Sequence, residues 1–286
     1  MDKQAVREAV WDAFEDTGEA RFPFPPRGRI PNFAGADAAC ERLCGTEEWQ
    51  AADTLKCNPD APQLPVRRAA LRAGKTIYVA QPRLRDPEPF LRLEPDAIEA
   101  DRDADVDDAT TVSGISTHGT PVGPEDVPHV DLVIAGSVGV TTAGARIGKG
   151  EGYSDLEWGV LRELDAVGRE AQSASGSRAK PDDSEGQSPS GNRASPGDDE
   201  TTVATTVHEL SVLDGPKSAV AAARDSGEPL PNPDSHDVPL DLVVTPERTV
   251  RTETSYPRPT GIDWEKLDAE TLDAIPVLAE RAPENR

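Results

Sequence analysis

The tract from Val130 to Asp155 constrains the fold more than any other part of the chain. Val130 to Ala135, apolar but for Asp131, reads as a strand buried on both faces, and a glycine-rich turn follows from Gly136 to Gly152. A helix is then predicted from about Asp155 to Ala166, with Leu156, Val160, Leu161 and Leu164 on its apolar face and Ser154 and Glu157 at capping-box spacing. A buried strand leading through glycines into an amphipathic helix is the repeating unit of a parallel sheet covered on both faces.

The unit recurs. Val6, Val10 and Phe14 mark a first helix between Lys3 and Asp16, and the proline-rich stretch from Phe22 to Pro31 cannot continue it. Helical patches are predicted at Asp37 to Leu43 and Thr46 to Asp53, then a helix from Pro65 through Ala73 stopped by Gly74, then a strand from Lys75 to Ala80. Residues 94 to 110 are acid-rich and read as a surface loop before a strand at Thr111 to Ser116. Strands are expected again at Val203 to Val207, Leu240 to Thr245 and Thr249 to Arg251. Residues 169 to 202 are rich in Ser, Gly, Pro, Asp and Glu and predict a disordered insertion within one domain spanning 1–286. Replacing the insertion with a short Gly/Ser loop is expected to leave cooperative urea unfolding intact; a large loss of stability would mean that it packs on the domain.

Charge narrows the function classes. With 53 acidic against 30 basic residues and a formal charge of -23, the chain lacks the basic footprint that nucleic acid or an anionic membrane requires. The acid excess is spread along the sequence and only seven basic residues are lysine, a pattern read as halophilic adaptation in a monomer. Stability is therefore expected to rise with salt, because screening shortens like-charge repulsion to about 3 Å at 1 M. Thermal unfolding across a KCl series checks this, and a melting temperature independent of salt would contradict it. Met1 to Phe14 alternates charge with apolar residues and has no signal-peptide core, and no run approaches the roughly 20 apolar residues of a membrane span, so a cytoplasmic location is expected. Cys40, Cys44 and Cys57 lack the paired spacing of a zinc site; Cys40 and Cys44, one helical turn apart, read as a shared metal pair or as small core residues.

The chemistry concentrates at Arg146-Ile147-Gly148-Lys149-Gly150-Glu151-Gly152-Tyr153-Ser154-Asp155. Glycines at alternate positions let backbone N–H groups approach an anion, and the helix N-terminus that follows adds partial positive charge. Phosphate is the natural guest, although neither Walker A nor Rossmann spacing is met. His208 and Glu209 read as a general-base pair or as a structural strand end.

This segment resembles the motif Arg-Leu-Gly-x-Gly-x-Gly-Tyr-Tyr-Asp of the 5-formyltetrahydrofolate cyclo-ligase (methenyltetrahydrofolate synthetase) family, with Ile147 for Leu and Ser154 for the second aromatic. His236-Asp237-Val238-Pro239-Leu240-Asp241 is similar to a second signature, His-Asp-x-Pro-x-Asp, and Lys3 and Arg7 to its basic pair on the first helix. Val10-Trp11-Asp12, Arg29 to Phe33 and Asn58-Pro59-Asp60 look closer to the branch of methenyltetrahydrofolate synthetase domain-containing proteins.

The resemblance implies a three-layer α/β/α fold with a mostly parallel sheet, as in sugar-phosphate isomerase and CoA-transferase relatives. It implies ATP-dependent closure of 5-formyltetrahydrofolate to 5,10-methenyltetrahydrofolate with ATP and Mg²⁺ as cofactors. Lys3, Arg7, Arg146 and Lys149 would hold phosphates, Gly148, Gly150 and Gly152 would cradle them, Asp155 would hold Mg²⁺, and Tyr153 would face the folate. Two alternatives stand beside it: a non-catalytic nucleotide- or folate-binding module of the same fold, and an ATP-dependent enzyme acting on another formamide or carboxylate.

Overall fold

The computed structural model describes residues 1–98, 103–168, 200–221 and 229–283. Helix α1 (Lys3–Thr17) buries Val6, Val10, Trp11 and Phe14, starts at Asp2, whose side chain accepts from the Ala5 N–H, and stops at Gly18 in the left-handed region. The proline-rich connector loops between two short antiparallel strands, β1 (Ala20–Arg21) and β2 (Asn32–Phe33). Helices α2 (Ala36–Cys44) and α3 (Glu47–Ala51) follow, then strand β3 (Thr54–Cys57), helix α4 (Leu64–Arg72) with Pro65 in its first turn, and strand β4 (Thr76–Ala80). Gly74, at φ 77°, ends α4 as expected.

Two expectations fail in the next stretch. The acidic loop contains helix α5 (Asp103–Ala109) after strand β5 (Phe90–Leu93), and the strand expected at Thr111 to Ser116 is helix α6 (Val112–His118). Thr111 decides the second case: its hydroxyl accepts from the Gly114 N–H at 2.9 Å and caps a helix. Gly114 then lets α6 sit against the end of α5, where an added Cβ would lie 1.8 Å from the Asp108 carbonyl oxygen. Strand β6 (Thr120–Val122) completes this edge.

Strand β7 (Leu132–Ile134) begins after Asp131, whose carboxylate accepts from the N–H groups of Asp53 and Thr54 at 2.9 and 2.8 Å. The glycine-rich stretch is a hairpin, β8 (Gly139–Val140) and β9 (Arg146–Ile147), before helix α7 (Tyr153–Glu163). Residues 169–199, most of the expected insertion, lie outside the described residues. Its last two do not belong to it, since Thr201 is buried and Thr202 opens strand β10 (Thr202–Thr206), so a loop replacement has to end before them. Strands β11 (Leu242–Val244) and β12 (Thr249–Arg251) and helices α8 (Ala269–Ala274) and α9 (Pro276–Arg281) close the chain.

The main sheet has eight strands in the order β12-β11-β10-β7-β3-β4-β5-β6. The five central strands, β11 to β4, are parallel and the flanking three antiparallel. Side chains alternate between two apolar layers. Leu55, Ile77, Val79, Leu132 and Ile134 face α2, α4, α5 and α6, whereas Tyr78, Val133, Val203 and Val243 face α7 and α9. This is a three-layer α/β/α architecture. A third cluster packs α1 against Ile30, Phe33, Val138 and Ile147, over segments that leave the carboxyl end of β7.

Among the parallel strands, β3 lies between β4 and β7, so the chain leaves β3 first to one side and then to the other. That reversal opens a crevice outside the carboxyl ends of β3 and β7, where open α/β sheets bind ligands.

Candidate functional site

The crevice is occupied by a cavity of about 260 Å³. Its floor is the chain leaving β3, Asn58-Pro59-Asp60, and the chain leaving β7 at Gly136. The two are pinned together: the Gly136 N–H donates to Asn58 Oδ1 at 3.3 Å, and a Cβ on Gly136 would stand 2.8 Å from Asp60 Oδ2. Buried Arg67 fixes the first strand end from below, donating to the carbonyls of Asn58 and Asp60 at 2.6 and 3.1 Å; burial lowers its pKa to about 10. At the base of the cavity, Lys56 of β3 pairs with Glu157 of α7, both buried, and Asn58 Nδ2 donates to Ser154 Oγ at 3.1 Å.

The β8–β9 hairpin delivers Arg146 to the wall. The residue is 5% exposed; its side chain donates from Nη1 to the Gly136 carbonyl at 3.1 Å and pairs through Nη2 with Asp155 Oδ1. Its Nε finds no acceptor among the described residues and is sealed from solvent, a desolvated donor that costs free energy. From β9 the chain runs through Gly148 to Gly152 into α7. Gly150 (φ 103°) and Gly152 (φ 74°) occupy backbone that other residues resist, and Gly152 is the N-terminal residue flanking the helix. The free N–H groups of an eleven-residue helix thus open onto the cavity. Ser154 does not cap that helix as its spacing suggested: it sits inside the first turn, and Glu157 is taken by Lys56.

The predicted residues Arg146, Gly148, Lys149, Gly150, Gly152, Tyr153 and Asp155 come together on this one cavity. Lys149 is half-buried and pairs with Glu151 at 2.8 Å. Arg7 reaches the same loop from α1, its Nε donating to the Gly148 carbonyl at 2.7 Å, but it supports the loop rather than lining the cavity. Lys3 is elsewhere. It is clamped by Asp237 at 2.5 Å and Asp234 at 2.7 Å; burial works against its charge, and these two bonds prevail and raise its pKa. Its ammonium thereby sits on the cluster Asp234, His236 and Asp237, the one group of metal-ligating side chains among the described residues.

Asp155 Oδ1 is shared by Arg146 and the Val238 N–H at 3.2 Å, which leaves Oδ2 for a cation. A hard divalent ion that keeps waters and phosphate oxygens needs as few as one or two carboxylates, and Asp155, which lines the cavity, can supply one.

Asp60, Asn58 and the Lys56–Glu157 pair were quoted or passed over in the sequence without a role. Burial raises the Asp60 pKa, opposed by nearby Lys149 and Arg67. A carboxylate three residues past a strand end, behind a proline, is the signal that could have marked it. Other candidates fall away from the cavity. His208 lies between Phe14 and Phe33 with ring centroids at 5.7 and 6.1 Å, and burial lowers its pKa; Glu209 is held by Arg248 and Thr245. The Cys40 and Cys44 sulfurs are 4.0 Å apart without a third ligand among the described residues, and burial pushes the Cys57 thiol up to about 12. Asp241 of the second signature caps strand entry, accepting from the Val203 N–H at 2.7 Å and pairing with Arg258.

A mostly parallel sheet with a glycine loop at its switch point and a buried arginine in the loop's wall defines a three-layer α/β protein with its cavity at the carboxyl ends of the strands. The sequence model of the 5-formyltetrahydrofolate cyclo-ligase family matches residues 3–174, more than half of the chain, and the chain belongs to that family. It is 35% identical over 278 residues to the methenyltetrahydrofolate synthase domain-containing protein of Bos taurus, and 32% identical over 278 residues to that of Homo sapiens. Each alignment covers 97% of this chain and 61% of the relative, so the chain spans about three fifths of the curated relatives it matches. The solution structure of 5,10-methenyltetrahydrofolate synthetase from Aquifex aeolicus aligns with a TM-score of 0.46 and 15% identity, covering 89% of this chain and 95% of that one. Among the described residues no helix is long and apolar enough to cross a membrane.

Proposed function

We propose that the chain is an ATP-dependent 5-formyltetrahydrofolate cyclo-ligase, forming 5,10-methenyltetrahydrofolate at the cavity between β3 and β7. The observation that carries this is the convergence on one cavity of buried Arg146, the glycine loop and the N-terminus of α7. The charge of this guanidinium favours a phosphate in the cavity, and the loop and helix N–H groups together with Lys149 supply the direct donors. Mg²⁺, held through Asp155, neutralises phosphate charge when bound.

The reaction asks for positioning more than for a protein nucleophile. The formyl oxygen takes the terminal phosphoryl group of ATP and ADP departs; the second folate nitrogen attacks the activated carbon, phosphate leaves with the formyl oxygen, and that nitrogen loses its proton. Tyr153 borders the ring-binding side, and Asp60, its affinity for protons raised by burial, is the acceptor for the released proton. Arg7 keeps the glycine loop in place, while Lys3, already neutralised, serves the Asp234–Asp237 turn.

Ser154 favours one second reading, a nucleotide- or folate-binding module without turnover. Its hydroxyl is engaged by Asn58 where the family motif places an aromatic ring. Calorimetric titration with Mg·ATP tests the part both readings share. Saturable binding at one site per chain is expected, weakened about tenfold by Lys149→Ala through loss of a charge-assisted contact. No binding by the wild type would remove the nucleotide site.

A further inference from the structure

The turn after β4 places two consecutive non-glycine residues in the left-handed region, Arg83 at φ 64° and Leu84 at φ 51°. Such backbone persists only where its surroundings impose it, and it gathers at ligand sites. Here the imposing contacts are visible. Leu84 is buried in the apolar layer beneath α7 and its N–H donates to the Gln81 carbonyl at 3.1 Å. Gln81 is anchored in turn by its N–H to the Pro89 carbonyl at 2.8 Å and its side chain to the Glu88 carbonyl at 2.9 Å.

The Arg83 side chain takes no part in that anchoring. It is exposed and makes no hydrogen bond or ion pair with any described residue. Glycine would occupy the same turn without strain. Yet Arg83 lines the cavity, on the wall built after β4, while the glycine loop builds another. In a chain of 53 acidic and 30 basic residues, an arginine at a cavity wall with no carboxylate partner among the described residues is available to an anion from outside.

We propose that Arg83 is a phosphate-binding residue, which meets the phosphoryl groups of the nucleotide held by the glycine loop. This rests on the nucleotide reading of the cavity. The planar guanidinium offers two parallel donors to a phosphate, so its position and not only its charge matters. The strained turn sets that position, and Leu84 holds the turn whether or not ligand is present.

The test is titration of the wild type, Arg83→Gly and Arg83→Lys with Mg·ATP at low ionic strength, with urea unfolding of each protein in parallel. Arg83→Gly is expected to bind about tenfold or more weakly while its unfolding midpoint stays level or rises, since glycine relieves the backbone. Arg83→Lys is expected to retain part of the affinity. Unchanged affinity in Arg83→Gly overturns the assignment and leaves the nucleotide site standing. A joint loss of affinity and stability in that variant also overturns it, because the residue would then be structural. Absence of binding in the wild type removes the nucleotide site and the role of Arg83 with it.

Discussion

Arg146→Ala is expected to abolish measurable Mg·ATP binding and to lower unfolding stability by about 3–5 kcal/mol. The arginine is 5% exposed, and its two bonds hold together pieces that the site needs: the Gly136 carbonyl at the end of β7 and the Asp155 carboxylate in the first turn of α7. Removing it leaves Asp155 with the Val238 N–H as its hydrogen-bond partner among the described residues, in a wall that exposes little of the carboxylate. The charge-for-ligand role that the sequence suggested is therefore joined to a structural one. Adding Asp155→Ala to the variant is expected to restore much of the stability, because the stranded charge is gone, and none of the binding. Urea unfolding and calorimetric titration of the single and double variants separate the two roles. A single variant as stable as the wild type would show that Asp155 finds water when Arg146 is removed.

Glu157→Leu is expected to cost a similar amount, about 3–5 kcal/mol, by stranding the Lys56 ammonium. Alternation along β3 sends Leu55 and Cys57 to the layer of α2 and α4 and turns Lys56 toward α7, where Glu157 is its acid partner. Both are almost fully buried, so neither charge can fall back on solvent. Glu157→Leu combined with Lys56→Met is expected to recover stability to within about 1 kcal/mol of the wild type, or to exceed it, since an apolar pair of similar volume avoids the desolvation cost. A double-mutant cycle by urea unfolding at fixed KCl measures this coupling. Additive single effects would contradict it.

The parallel units were legible because their signals are strong and local. Val130 to Ala135 and Lys75 to Ala80 carry apolar runs at Leu132 to Ala135 and Ile77 to Ala80, and Pro65 and Gly74 bracket a helix, so β7, β4 and α4 follow with shifts of a few residues. The glycine loop was legible for the same reason: alternate glycines before a helix have few other uses. What escaped depends on tertiary contact. The α6 segment is rich in Ser, Thr and Gly and carries one buried apolar side chain, Ile115, so only the Thr111 cap and its packing on α5 make it a helix. Ser154 and Glu157 have capping-box spacing, but Lys56, a hundred residues earlier, takes the glutamate. Lys3 and Arg7 share a helix face in sequence, and the fold separates their uses, one to an acidic turn and one to the glycine loop. Arg83 left no mark at all, because its interest lies in a backbone angle.

The most direct measurement is the appearance of the methenyl absorbance band when purified protein is mixed with 5-formyltetrahydrofolate, ATP and Mg²⁺ in high KCl. The expected result is a band that grows with time, requires ATP, and is absent with Arg146→Ala. A wild-type protein that binds Mg·ATP yet produces no band would contradict the cyclo-ligase assignment and leave a binding module on the same fold.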